Sequence, residues 1–314
     1  MELQPFLQHL PATEIQAAKS YMDASTATAT KKAYASDWAI FTAWCASKCV
    51  ESLPATPEVV AMFLSAQARE GKKAATIGRR LASISSAHKA VGLDSPASSM
   101  PVQAILRGIR RKHGCAQDQK TPATSEIVRE MARSAPNTKS GIRDRALLLL
   151  GFAGAFRRSE LAALTIEDLG FTPEGVRVSI RRSKTDQEGK GQVKAIPFGG
   201  LFCPVRAVKE WLKVSGITEG PLFRSVRKNG VVNDSRLTTK SIGQIVKRAA
   251  SSIGLDPKDF SGHSLRSGFC TSAAKNGADL SKIMDVTGHK NLKTLKGYVR
   301  RGQEFNNHPG EGLL

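Results

Sequence analysis

The stretch Gly262–Arg301, GHSLRSGFCTSAAKNGADLSKIMDVTGHKNLKTLKGYVRR, is the one around which the rest of the chain is organised. His263 and Arg266 stand three residues apart, a spacing that puts them on one helix face, one turn from each other. His289 follows a Thr-Gly pair, as at a helix start or turn, and Tyr298 comes nine residues later in a segment ending Val-Arg-Arg. Two imidazoles, a guanidinium and a phenol are the parts for attack on a phosphate. Arginine offers paired donors that match phosphate oxygens. Histidine carries a proton near neutral pH. Tyrosine is a covalent nucleophile once a neighbour takes its proton. Taken singly these signals are weak, because an H-x-x-R pair is usually a surface pair or a satisfied core histidine. The ordered set is far more specific, and it needs one part upstream.

That part is Gly154–Leu169, GAFRRSELAALTIEDL, where Leu161, Leu164 and Ile166 form an apolar face and Arg157 precedes Ser159-Glu160. The order Arg157, lysine, His263-x-x-Arg266, His289, Tyr298 resembles the tyrosine site-specific recombinases of the phage integrase family, nearest the Cre type. Pro221–Val232, PLFRSVRKNGVV, and the GHS-x-R box share that character. The resemblance spans nearly the whole chain, strongly after Arg143 and loosely before Cys115.

The charge balance agrees with a polyanionic partner. Lysine and arginine number 47 against 27 aspartates and glutamates in 314 residues, a net charge of +20. Nucleic acid is the first reading of such an excess and an anionic membrane the second. The membrane reading is weak, since no apolar run approaches the ~20 residues that span a bilayer. The start, MELQPFLQHLPATEIQ, has neither the basic nor the apolar segment of a secretory signal. Five scattered cysteines without ligand spacing read as thiols in a reducing cytoplasm. A cytoplasmic, nucleoid-associated protein of bacterial, phage or mobile-element origin is expected.

The length allows two domains. Residues 1–115 read as an all-α bundle of four or five helices behind a partly ordered arm at 1–20. Tyr34, Trp38, Phe41 and Trp44 recur at helical spacing; Val59, Val60, Phe63 and Leu64 do so behind a Thr56 cap and Pro57; Ile77, Leu81, Ile84 and His88 make a third stripe. Lys31, Lys32, Lys72, Lys73, Arg79 and Arg80 crowd the helix starts, with little acidic compensation in view. A solvated face is the ordinary fate of such a charge run. The resemblance implies a SAM-like core-binding domain that clamps one side of the duplex. Residues 116–124, polar and aperiodic, read as the linker. Residues 125–314 read as the catalytic domain, mainly helical with a small antiparallel sheet. Val176, Val178 and Ile180 alternate as a half-buried strand, and Gln192–Pro197 alternates again with Val193, Ala195 and Ile196. On the helix near Leu237–Gly254, Lys240, Gln244, Lys247 and Arg248 suit either a solvated face or a major groove, where Gln reads adenine and Arg guanine.

The resemblance implies the chemistry. Arg157 and Arg266 clamp the non-bridging oxygens, the electrostatic work that phosphoryl transfer chiefly needs. His289 adds a donor. Tyr298 attacks, leaving a 3′-phosphotyrosine, with His263 the candidate base, since free tyrosine has a pKa of ~10. Lys184, in the Ser-Lys-Thr of the β-hairpin, protonates the leaving 5′-oxygen, with Lys190 and Lys194 as competitors. Glu160 supports Arg157 or forms a surface i,i+3 pair. Arg158 is assigned to support or to the DNA backbone. Neither metal nor other cofactor is expected, because the covalent bond conserves the phosphodiester energy. The implied partners are double-stranded DNA with inverted-repeat sites and a homotetramer that passes through a Holliday junction. The C-terminal residues Phe305, Leu313 and Leu314 would engage a neighbouring protomer. Alternatives are a type IB topoisomerase, a hairpin telomere resolvase, and a catalytically silent DNA-binding relative.

Overall fold

The computed structural model describes residues 11–115, 119–181 and 191–289, and beyond them residues 291, 292, 295, 297 and 298. The chain divides into two compact units, Met1–Asp118 and Gln119–Leu314. The fold is mainly helical with small antiparallel sheets.

The first unit holds α1 (Ala12–Ala24), α2 (Thr28–Ser47), α3 (Pro57–Arg69), α4 (Ala74–Ala90) and α5 (Met100–His113). The segment read as an arm thus contains the start of a helix. Ile15 of α1 is half-buried and the other described positions of that helix are exposed. Thr56 caps α3 by accepting from the Val59 N–H, and Pro57 occupies the first turn, where its missing N–H costs nothing. Phe41, Phe63, Leu64, Ile77, Ile84 and Val102 form the core of α2–α5. His88 belongs to it as a satisfied core histidine, with Nδ1 at 2.9 Å from the Ile84 carbonyl and Nε2 accepting from the Ala55 N–H.

The second unit begins with α6 (Ser125–Ser134) and α7 (Lys139–Ala153), the latter buried along Ala146–Gly151. The short α8 (Arg158–Ala163) leads into β1 (Leu169–Thr172), β2 (Gly175–Ile180) and β3 (Gln192–Pro197), an antiparallel sheet in that order. There follow α9 (Pro204–Ser215), the two-stranded β4 (Arg224–Val226) and β5 (Val232–Arg236), α10 (Thr239–Ser252), α11 (Ser264–Lys275) and α12 (Leu280–Thr287). One core joins α6, α7, the three-stranded sheet, α9 and α10, with Trp211 fully buried and its indole N–H donating to the Leu222 carbonyl at 2.8 Å. No helix among the described residues is long and apolar enough to cross a membrane.

Two features depart from the sequence reading. Residues 121–124 do not behave as free linker. The Thr121 and Ala123 N–H groups donate to the carbonyls of Asp259 and Ser264, and Ala123 is fully buried. Gly268 of α11 is what admits this strand of chain, because a Cβ there would fall 1.7 Å from the Ala123 oxygen. The second departure is the face of β3. Val193 and Ala195 point outward, while Lys194 and Ile196 point in, opposite Val178 and Val176 of β2. A strand's period of two forces this choice: once Ile196 is inside, Lys194 must follow it.

Candidate active site

The turn between α7 and α8 is built to present Arg157. Ala155 adopts φ +46°, a conformation costly for a residue with a Cβ. Its carbonyl accepts a 2.8 Å hydrogen bond from Arg266 Nη1, which helps hold the turn. Arg157 then caps α8. Its backbone N–H donates to Glu160 Oε2 at 2.8 Å and its Nη1 to Oε1 at 2.7 Å. Glu160 is buried, so it is not an exposed surface pair; both its oxygens are spent orienting Arg157. The side chain of Arg158 packs instead over the open space at Gly262 and Gly243.

His263 occupies the N-cap position of α11 and Arg266 follows in its first turn, which realises the expected i,i+3 placement. Arg266 is 1% exposed. Burial first, then the Arg157 charge, lowers its pKa to about 10. Its Nη2 has no hydrogen-bond partner among the described residues. A buried guanidinium nitrogen left open in this way is matched to an anionic guest, since an unmet buried donor is otherwise expensive.

The last two side chains arrive from the far end of the chain. His263 Nε2 lies 2.9 Å from the Tyr298 hydroxyl. The His289 ring stacks on Tyr298 with centroids 6.4 Å apart and planes 25° from parallel. Tyr298 itself packs against a small cluster of Cys270, Ala274, Ile283 and Leu295. His289 Nδ1 is 2.8 Å from Thr287 Oγ1. Burial first, then Arg266, Arg157, His263 and Lys194, depresses the His289 pKa to about 4, so its ring is neutral near pH 7. Arg157, Glu160, His263, Arg266, His289 and Tyr298 are thus brought together. A phenol facing an imidazole, with two guanidinium groups beside it, can lose its proton as it attacks phosphorus.

Sequence reasoning understated Lys194. The residue is 3% exposed, and its ammonium donates to the carbonyls of Gly154 and Val286, both at 2.6 Å. The Phe156 ring lies 5.0 Å from the same nitrogen. Gln192, on the same strand, donates to the Asp285 carbonyl at 2.8 Å. Strand β3 therefore ties the turn before Arg157 to the end of α12 before His289. Burial lowers the Lys194 pKa to about 8, an effect opposed by the Glu160 charge. Lys194→Met keeps the stem but strips both carbonyls of their donor. We expect a loss of about 2–4 kcal/mol in urea unfolding of the full chain, because each unmet buried acceptor costs ~1–3 kcal/mol. A loss under about 0.5 kcal/mol would mean that water satisfies both carbonyls.

Lys184 and Lys190 lie outside the described residues, as do Phe305, Leu313 and Leu314. Of the expected basic face, Lys32, Lys72, Lys73, Lys240 and Gln244 are exposed, and Lys31 and Lys247 half-exposed. Arg80 is a correction. It is buried, 3.7 Å from Asp37, which is itself 2% exposed. Arg79 makes a two-pronged pair with the same carboxylate at 2.7 and 3.1 Å, though its side chain remains half exposed. The acidic compensation absent from the local sequence comes from α2, 42 residues away. Arg248 is exposed yet paired, donating to Asp144 at 2.7 Å.

Such a fold and such a site define a tyrosine recombinase, a DNA strand transferase. The chain belongs to the phage integrase family, which its residues 123–304 match. It is 42% identical over 294 residues to the integrase/recombinase xerD homolog of Selenomonas ruminantium, covering 92% of this chain and 86% of that protein. To the recombinase cre of Escherichia phage P1 it is 28% identical over 278 residues, 82% of this chain and 80% of the phage protein. The fold is similar to that of the XerH site-specific recombinase bound to palindromic difH substrate, with a TM-score of 0.57, 22% identity, and coverage of 81% and 70% of the two chains. It is also similar to a lambda integrase dimer bound to a COC' core site, with a TM-score of 0.56, 18% identity, and coverage of 81% and 82%.

Proposed function

We propose that this recombinase exchanges strands between two copies of a duplex site built of inverted repeats about a short spacer, acting as a homotetramer through a Holliday junction. The observation that carries the catalytic reading is the 2.9 Å contact between His263 Nε2 and the Tyr298 hydroxyl, made across 35 residues of chain. The Tyr298 oxygen bonds to phosphorus while the bond to the 5′-oxygen breaks. The phenol proton passes to His263, and Lys184 supplies a proton to the departing oxygen. Arg157, held by Glu160, and Arg266 neutralise the extra charge on the non-bridging oxygens, and His289 adds one more donor there. In the reverse sense a 5′-hydroxyl from the partner duplex attacks the phosphotyrosine, so the phosphodiester count is unchanged. Lys32, Lys72 and Lys73 in the first unit, and Lys240, Gln244 and Lys247 in the second, are proposed to meet the DNA.

The reading is tested with a library of nicked duplexes carrying randomised arms. A nick in the spacer lets the short 5′-hydroxyl strand diffuse away, which traps the covalent adduct. Sequencing the trapped DNA is expected to return two inverted arms, and two intact duplexes of that sequence should yield four-way junctions and recombinants with neither ATP nor metal added. Relaxation of a supercoiled plasmid without recombinants would favour a topoisomerase. Hairpin products would favour a resolvase, and the absence of any adduct a silent relative.

A further inference from the structure

The exposed side chain of Arg158 lies in a seat made by two glycines. Its stem runs along Gly262, where an added Cβ would fall 2.8 Å from Cδ, 3.0 Å from Cγ and 3.2 Å from Cβ of the arginine. Its Nη1 reaches α10 at Gly243, where an added Cβ would touch it at 3.4 Å. Neither glycine has a positive φ, so backbone conformation does not call for glycine at these positions. Inside α10 a glycine even costs helix stability relative to alanine. The room is taken up by Arg158 itself. The surroundings are cationic. Lys240 and Lys247 stand three before and four after Gly243, on the same face of α10, one exposed and the other half-exposed. Nearby, Arg157 is paired with Glu160 and Arg248 with Asp144, whereas Arg158, Lys240 and Lys247 have no carboxylate partner among the described residues. Like charges gathered in this way repel one another until an anion joins them.

We infer that Arg158 anchors the DNA backbone: seated on Gly262 and Gly243, its guanidinium binds a phosphate that flanks the scissile one, with Lys240 and Lys247 completing the cationic site. Location decides which phosphate. Arg158 follows Arg157 in sequence and lies against the residue before His263, so it borders the place where the scissile group is attacked. Phosphates recur about every 3.4 Å of helix axis along a strand, so the neighbours of the scissile group pass over that border. Chemistry decides the rest. A guanidinium presents paired donors to phosphate oxygens. A stem already laid against the protein gives up less rotamer freedom on binding. A backbone contact of this kind fixes the register of the duplex and carries no sequence information. Arg158 therefore helps set where the strand lies relative to Tyr298.

The inference takes the scissile phosphate from the recombinase reading above, and its experiments separate the two. The first measures affinity of the full-length protein for a duplex of arbitrary sequence across a range of salt. Arg158→Met keeps an unbranched stem over the glycines and removes the charge. Its log–log salt slope should be shallower by about 0.9, one phosphate contact's worth, with affinity lower by about tenfold at low salt. Arg158→Lys should keep the wild-type slope. Gly243→Leu puts a better helix former into the seat and displaces the guanidinium, so its slope should fall to that of the Met variant while its melting midpoint does not fall. A Met variant with the wild-type slope overturns the inference. If that variant also melts lower, Arg158 is a packing residue. The second experiment scans a single uncharged methylphosphonate linkage through the duplex trapped by the wild-type protein. One linkage beside the cut should weaken the wild type and leave the Met variant indifferent. Equal sensitivity of the two proteins at every linkage, or a loss in the Met variant that depends on base sequence alone, refutes the assignment. An absent wild-type adduct would instead refute the recombinase reading, and the salt slopes on arbitrary duplex would still judge Arg158.

Discussion

Replacing Tyr298 by phenylalanine should abolish the covalent protein–DNA adduct and leave duplex affinity within about twofold of wild type. The oxygen is the only atom lost, and it is the atom that would bond to phosphorus. The ring stays seated, because its apolar contacts are to Cys270, Ala274, Ile283 and Leu295 and its stacking partner is His289. Affinity is carried elsewhere, by lysines and arginines that release counterions from many phosphates. The measurement is a denaturing gel of the protein mixed with nicked duplex, followed by peptide mapping of the band. No adduct should form even after long incubation; the other tyrosines of the sequence, Tyr21 and Tyr34, belong to α1 and α2 of the first unit. An adduct that persists in the phenylalanine variant, or that maps to either of those tyrosines, would remove Tyr298 from the mechanism. His263→Ala should produce a gentler version, with slower attack but no loss of the covalent product, because only the proton acceptor 2.9 Å from the hydroxyl is gone.

How much of this could be read from sequence depends on whether a residue's role is set locally. The H-x-x-R spacing of His263 and Arg266 is a property of one helix start, and the structure reproduces it. Arg157 and Glu160 are likewise three apart across one cap, so the arginine's support was visible before its burial was. Lys194 was not legible in the same way. Val193, Ala195 and Ile196 look like the apolar partners of a strand, and only pairing with β2 reveals that the lysine shares the inner face with Ile196. Arg79 and Arg80 show the same limit in the other unit. Read along α4 they are an uncompensated basic run, whereas a single buried carboxylate from α2 engages both. The hairpin of β4 and β5 escaped detection because its strands, Arg224–Val226 and Val232–Arg236, are short and polar and bury little. Ala123, small and set between Pro122 and Thr124, reads as linker until Gly268 supplies the gap it occupies. For Lys194, Arg79, Arg80 and Ala123 the deciding partner lies outside the window in which periodicity operates.

Arg266→Lys should lower the rate of adduct formation by at least about 10²-fold, the scale set by loss of one transition-state donor. Two losses combine in this substitution. Arg266 spends Nη1 on the Ala155 carbonyl and leaves Nη2 open, so one guanidinium holds the strained turn and, in the proposed reaction, would also meet the substrate. A single ammonium cannot span the same two directions with a planar fork. The charge is also less secure. Burial beside Arg157 already pulls the arginine pKa down to about 10, and Lys194 in the same neighbourhood falls to about 8. A lysine at position 266 would feel the same burial and the same neighbouring cations, and would shed its proton at mildly alkaline pH. The residual rate of the variant should therefore fall further as pH rises from 7 to 9, whereas the wild-type guanidinium keeps its charge over that range. Arg157→Lys should be the milder of the two: its side chain is 16% exposed, its partner Glu160 would hold an ammonium charged, and the 2.7 Å contact to Oε1 can be remade by one N–H. Its rate should fall by about 10²-fold with little added dependence on pH. Duplex affinity of both variants should drop far less than the rate, because one phosphate contact among many is altered. If Arg266→Lys forms adduct at the wild-type rate, the open Nη2 does not meet the phosphate, and Arg266 serves only to hold the turn at Ala155.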